Sequence, residues 1–253
     1  LDEALRQLPE HDFIYLADSA HAPYGERSGA WIASRSLALC TYLASQGCDA
    51  IVVACNTATA EAIAQIRIEL DTIPIVGVEP GIKPGIQQSQ NGVVGVLATE
   101  ATLNSDKFNA LLHAISPNCT VIKQAGAGLV PLIEAGQANT DETLALLAKH
   151  LAPIQKAGAD TLVLGCTHYP FLNKAIHQIL GGSITLIDTS EAVVRQLKRQ
   201  LNNPEKKAQT VIAGSITFLS SKDEKTLLKM AKELMRSDLN AHAIDAKLLR
   251  DLE

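Results

Sequence analysis

Two stretches of this chain are near copies of each other, and that repetition constrains the fold more than any other feature. Gly47-Cys-Asp49-Ala-Ile51-Val-Val-Ala-Cys55-Asn-Thr57 aligns without a gap on Gly158-Ala-Asp160-Thr-Leu162-Val-Leu-Gly-Cys166-Thr-His168. Each copy runs from Gly through Asp and an apolar stretch to a small residue, a cysteine and two polar residues. Such self-similarity marks a duplicated supersecondary unit. The apolar runs have the continuous character of strands buried on both faces. The chain is therefore expected to build two similar halves, each ending a buried strand in one cysteine.

The rest of the sequence alternates strand and helix patterns, the mark of an α/β fold with largely parallel sheets. Strands are expected at 13–17, 50–54, 75–78, 93–97, 120–123, 161–164, 185–187 and 215–219. Helices are expected at 28–45, 58–69, 105–115, 141–151, 173–180, 191–201 and 224–235. Leu1, Leu5 and Leu8 repeat at helical spacing until Pro9 ends the pattern. A polar loop is read at 202–207, and the tail beyond Ser237 gives no definite element. Gly81, Pro84 and Gly85 cluster where a domain boundary would lie. A second crossing is placed near 188–190. The expected domains are 1–83 plus 190–253, and 84–189, related by a pseudo-twofold with a cleft between them.

Composition supports that architecture and excludes others. The chain has 253 residues, enough for a sizeable core. Apolar residues make up 47% and aromatics only 4%, so the core must be aliphatic, as suits parallel sheets covered by helices. Net charge is −5 and the 22 basic residues are scattered, which argues against nucleic acid. No apolar run approaches bilayer length, and the charged start carries no signal core. Five cysteines, with neither zinc-pair spacing nor a disulfide framework, fit a reducing cytoplasm.

The cysteine turns carry the chemistry. Ligands in open α/β sheets bind beyond the carboxyl ends of the strands, so both thiols should face the cleft. The helix that follows Cys55 would offer free N–H groups and lower the thiol pKa. Those N–H groups, with Asn56 and Thr57, suit a carboxylate; Thr167 and His168 occupy the matching places. Two equivalent thiols at one site suit a symmetric task such as racemisation, in which each enantiomer uses the opposite cysteine as base. A hydrolase would need one nucleophile and a positioned histidine. Cys40, Cys48 and Cys119 lack this context and read as packing residues. His168 reads as an acid/base helper or a structural histidine. Glu79 would tune a thiol or the substrate ammonium, or simply be solvated. Pro23-Tyr24-Gly25 is a turn after the first strand. Thr99 and Thr102 either cap a helix or bind a carboxylate.

Taken together, Ala54-Cys55-Asn56-Thr57-Ala58 and Gly165-Cys166-Thr167-His168-Tyr169-Pro170 resemble the paired signatures of the glutamate racemases. Pro23-Tyr24-Gly25-Glu26-Arg27-Ser28, Gly77-Val78-Glu79-Pro80-Gly81, the run from Gly95 to Thr102 and Leu129-Val130-Pro131-Leu132-Ile133-Glu134 resemble further blocks of that family. The resemblance implies interconversion of L- and D-glutamate in the cytoplasm, with no cofactor and no metal. It implies an isomerase that supplies D-glutamate for peptidoglycan, and hence for cell-wall biogenesis and cell shape. A homodimer is a further expectation. It also implies that Cys55 acts on the D-enantiomer and Cys166 on the L-enantiomer, assisted by Glu79 and His168. Pro23, Tyr24, Gly25, Asn56, Thr57, Thr99, Thr102, Thr167 and His168 would bind substrate. The family's first strand ends in an Asp-Ser-Gly turn, and this sequence starts after it. If the chain were the whole molecule, stability and turnover would both suffer. Three other readings stand beside this one: a racemase of aspartate or a hydantoin, a non-catalytic glutamate-binding module, and, more distantly, a cysteine hydrolase.

Overall fold

The computed structural model describes residues 1–113, 119–201, 214–235 and 239–249. In chain order its elements begin with α1 (Asp2–Gln7), β1 (Phe13–Ala17), a 3-10 turn at Tyr24–Glu26, α2 (Gly29–Ser45), β2 (Ile51–Val53), α3 (Asn56–Glu69) and β3 (Ile75–Gly77). Then come α4 (Ile82–Gln88), β4 (Val93–Ala98), α5 (Glu100–Asn104), α6 (Asp106–His113), β5 (Thr120–Ala125), α7 (Leu129–Glu134) and α8 (Asp141–Lys156). The order ends with β6 (Thr161–Gly165), a 3-10 turn at Tyr169–Leu172, α9 (Asn173–Leu180), β7 (Thr185–Ile187), α10 (Ser190–Gln200), β8 (Ser215–Ser220), α11 (Glu224–Leu234), a 3-10 turn at Leu239–Ala241 and β9 (Ala243–Leu248).

All strand pairs are parallel. One sheet runs β5-β4-β6-β7, a second β1-β8-β9, and β2 pairs with β3. The four-stranded sheet is covered on both faces. Leu97, Leu162 and Leu164 point to a core built with α7, α8 and α9. Val94, Val96, Ala98 and Val163 point the other way, toward α4, α5 and α6. Alternation along β4 and β6 thus feeds two cores, and each fully buried aliphatic side chain contributes about 1.5–3 kcal/mol. A separate core joins α2, α3, β2 and β3, and another joins β1, β8 and α11. No ladder links β1 to β2 among the described residues; Ala4, Leu8, Val194 and Leu197 pack between α1, α10 and the strands there.

The duplicated segments adopt matching backbones. Gly47 and Gly158 both take positive φ, 80° and 71°, a conformation that side chains disfavour. Each turns the chain out of a helix and into the strand that ends in a cysteine. The copies diverge after the cysteine. Cys55 is the N-cap of α3, whereas Cys166 leads into a 3-10 turn and α9 starts only at Asn173. The helix expected at 173–180 is found there, so only the first cysteine opens directly onto a regular helix.

Four elements escaped the sequence reading: α4, α5, α7 and β9. The short α5 lies just before the helix read at 105–115. α4 and α7 carry Pro84 and Pro131 at their third positions. First-turn N–H groups have no intrahelical partner, so proline is tolerated there although it disguises the helical pattern. β9 lies in the tail; its mostly exposed residues have too little apolar alternation to announce a strand. The loop read at 202–207, and the end of the helix read at 105–115, fall outside the described residues.

Candidate active site

Two cysteine turns meet at one place. The Thr167 hydroxyl donates to the Ala54 carbonyl at 3.1 Å, tying the residue after Cys166 to the residue before Cys55. The thiols lie near enough that charge on Cys166 acts on Cys55. The Cys55 sulfur accepts from the Ala58 N–H at 3.5 Å, as an N-cap should. Burial is nevertheless the larger influence and pushes this thiol up to about 11, against hydrogen bonds from Ala58 and Thr57 that pull it down. The expected lowering by the helix start is real in direction but is overridden by desolvation.

Cys166 is buried, with its sulfur 3.9 Å from Nδ1 of His168. Nε2 of the same ring meets Oε1 of Glu134 at 2.6 Å. Burial disfavours charge on His168, but hydrogen bonds to Cys166 and Glu134 outweigh it and lift the imidazole to about 10. An imidazolium beside the sulfur is the counter-charge that a thiolate requires. Glu134 closes α7, one of the helices hidden by proline, and was not singled out from the sequence. The block that contains it was visible, but nothing marked its carboxylate.

Glu79 stands at the edge of this site, paired with a lysine rather than with a thiol. Its carboxylate pairs with Lys107 at 2.6 Å and bonds to neither cysteine. It lines a cleft with Asn56, Thr102, Val78, Lys107 and Phe108, so it shares that cleft with two of the expected substrate-binding residues, while neither cysteine lines it. The carboxylate that reaches the helper histidine is Glu134.

Hydroxyls gather around the start of α3. Thr57 lies 2.8 Å from Thr99 and 3.3 Å from Thr102, and Thr99 lies 2.9 Å from Thr102. Thr99 also caps α5, accepting from the Thr102 N–H. The two roles left open by sequence are thus compatible: Thr99 caps a helix and joins the hydroxyl cluster. Asn56 is 5% exposed, and its Nδ2 has no hydrogen-bond partner. A buried donor left unpaired is costly unless a ligand meets it.

The 3-10 turn closes the other side. A Cβ on Gly25 would stand 3.1 Å from Cβ of Thr99, a tight contact that glycine avoids. The Tyr24 hydroxyl donates to Asp18 at 2.6 Å, and its ring packs in the same apolar cluster as Cys55. Asp18 also takes both arms of Arg35 and His21. Neither Asp18 nor Arg35 was singled out as functional from sequence, since an aspartate after a strand reads first as a turn residue. Among the described residues no cluster of three or more His, Cys, Asp or Glu is placed to hold a metal, and no helix is long and apolar enough to cross a membrane.

A parallel α/β scaffold that aims two thiols from duplicated turns at one site defines a class, and the sequence comparison agrees: residues 1–197 match the Asp/Glu/Hydantoin racemase family, and the chain belongs to it. Within that family the similarity is to glutamate racemases. The enzyme of Ralstonia nicotianae is 51% identical over 239 residues, covering 94% of this chain and 86% of that protein. A crystallised glutamate racemase isoform from Bacillus anthracis superposes with a TM-score of 0.82 at 29% identity, covering 97% of this chain and 91% of its own. The Escherichia coli glutamate racemase, solved with L-glutamate and the activator UDP-MurNAc-ala, gives 0.81 at 30% identity, covering 98% and 93%.

Proposed function

We propose that this chain interconverts L- and D-glutamate by a two-base mechanism at Cys55 and Cys166. The observation that carries the reading is the meeting of two thiols, each in its own electrostatic setting, at a turn-to-turn contact made by Thr167 and Ala54. In the L-to-D direction Cys166, as thiolate beside the His168 imidazolium, takes the Cα proton. Cys55, held protonated by burial, returns a proton to the opposite face. The D-to-L direction reverses the roles. Each turnover leaves one thiol gained and one lost, so a proton must be redistributed between the cysteines before the same direction can run again.

The substrate carboxylates are assigned to the polar rim. The start of α3, the Asn56 amide and the hydroxyls of Thr57, Thr99 and Thr102 supply donors, and Pro23, Tyr24, Gly25 and Thr167 complete the enclosure. Glu134 keeps His168 charged and oriented. The two halves, 1–83 plus 190–253 and 84–189, are read as domains with the site between them. The resemblance to glutamate racemases supports a homodimer in the cytoplasm that supplies D-glutamate to cell-wall synthesis, with no nucleic-acid or membrane partner.

The test is Cα proton exchange. L-glutamate is incubated with the chain in D₂O without added cofactor, and deuterium incorporation and optical rotation are followed together. Exchange with loss of rotation is expected. Calorimetric glutamate binding without exchange would replace the enzyme reading by a binding module. Faster exchange of aspartate or a hydantoin would reassign the substrate.

A further inference from the structure

We infer that Arg35 is a positioning residue for substrate binding: acting through Asp18, it holds the Tyr24 hydroxyl and so sets the Pro23–Tyr24–Gly25 backbone against Thr99. The inference rests on the reading that this turn binds glutamate.

Arg35 lies midway along α2 and is 8% exposed, an unusual place for a cation. Its Nε donates to Oδ2 of Asp18 at 2.9 Å and one terminal nitrogen to Oδ1 at 2.7 Å, a two-pronged contact that a guanidinium makes and an ammonium does not. Asp18 follows the last residue of β1. Burial opposes its charge, but hydrogen bonds from Arg35, Tyr24, His21 and Ser221 outweigh burial and keep it ionised well below the usual carboxylate range. Oδ2 then accepts the Tyr24 hydroxyl at 2.6 Å, while the Ser221 hydroxyl accepts the Ala20 N–H at 3.0 Å. The turn is thus held at both ends, and Tyr24 is further fixed edge-on to Trp31 with ring centroids 5.4 Å apart.

What this clamp positions is functional rather than incidental. Gly25 stands at the closest approach to Thr99, and Thr99 is bonded to Thr57, next but one to Cys55. A shift of the Tyr24 ring therefore moves the turn, the hydroxyl cluster or both. A pair that served only to tie α2 to β1 would have no need of the phenol on the same carboxylate oxygen. Well-placed binding groups are sensitive to small displacements, with losses approaching 10²-fold for about 1 Å.

The experiment measures glutamate racemisation by the full chain as wild type, Arg35→Lys, Arg35→Met, Tyr24→Phe and the double variant Arg35→Met/Tyr24→Phe, with thermal melts alongside. Expected is a rise in KM of about 10-fold in Tyr24→Phe, larger in Arg35→Met, with a smaller change in kcat, as loss of ground-state positioning requires. Arg35→Lys should recover part of the KM. The double variant should be no worse than Arg35→Met alone, because both changes cut one chain of contacts. A folded Arg35→Met with wild-type KM and a lower melting temperature would reduce Arg35 to a structural role and overturn the inference. So would an unchanged KM in Tyr24→Phe, or full additivity in the double variant. If Arg35→Met fails to fold, Tyr24→Phe and Arg35→Lys decide. If the wild type does not racemise, the functional reading is what fails, and glutamate Kd in the same variants decides the role of Arg35.

Discussion

Cys55 and Cys166 occupy equivalent places in the duplicated segments yet differ in what surrounds the sulfur. Cys55 meets backbone N–H groups and apolar packing, while Cys166 meets a histidine backed by Glu134. Replacing either by serine should abolish racemisation and leave the fold intact, because a hydroxyl in the same volume is a far poorer base; activity measured with circular dichroism on the same samples checks this. A matched base contributes on the order of 10²–10⁴-fold, so the residual rate should fall by at least that much. The high thiol pKa of Cys55, about 11, predicts slow alkylation by iodoacetamide at pH 7 that keeps rising through pH 10, which peptide mapping would follow. A plateau already reached at pH 8.5 would show that the helix start outweighs burial after all. Glu134→Gln removes one of the partners that keep His168 charged. The imidazole pKa should drop from about 10, seen by NMR titration, and racemisation should slow. Enantiomers have equal free energies, so kcat/KM must fall equally in both directions. The asymmetry between the thiols should appear instead in the deuterium isotope effect of each direction.

At the level of elements, the site is made where helices and turns begin after parallel strands, and the sequence showed most of those junctions. Gly47 and Gly158 were visible as repeat landmarks, and both occupy positive-φ turns open to solvent on the Cβ side. Gly47→Ala and Gly158→Ala should each destabilise by about 1–2 kcal/mol through backbone strain alone, without changing KM. Denaturant melts with kinetics on the same protein would separate the two effects. Gly165→Ala should be worse, since its Cβ would stand 2.7 Å from Cβ of Ala98 across the β4–β6 ladder and would disturb Cys166 next in sequence. Of the elements that stayed hidden, α4 and α7 did so because proline in a first turn breaks the apolar period while leaving the hydrogen bonding whole. That is why the carboxylate of Glu134, at the end of α7, was not singled out as the partner of His168.

For the molecule as a whole, the buried charges set the pH range of stability. Asp18 is ionised in the fold well below its unfolded value of 3.8, so it stabilises above that value and the contribution is lost as pH falls. His168 has its pKa raised from 6.5 to about 10, so its contribution is full below 6.5 and is lost as pH rises toward 10. Burial of the Cys55 thiol and the Tyr15 hydroxyl, pushed up to about 11 and about 12, works in the same alkaline direction. Calorimetry from pH 3 to 11 should therefore show a plateau between about pH 4 and 6.5, with stability falling on both sides. Glu134→Gln should flatten the alkaline slope, and a slope unchanged in that variant would deny the ion pair its part. Breaking the buried Asp18–Arg35 pair by Asp18→Asn should lower stability by about 3–5 kcal/mol, because the guanidinium is left without its counter-charge.

The sequence by itself determined the class of fold, the two cysteines and the chemistry they invite. Those follow from local patterns: apolar runs, turn glycines and a repeat that needs no gap. Only the tertiary structure decided which groups act on which sulfur. His168, which faces Cys166, meets Glu134 across 34 residues of chain, and Tyr24 answers to an arginine on α2 through Asp18. Desolvation likewise appears only when chains pack together, and it reverses the thiol pKa that the helix start alone would have produced. Electrostatics depends on distance and burial, and neither is written in the order of residues.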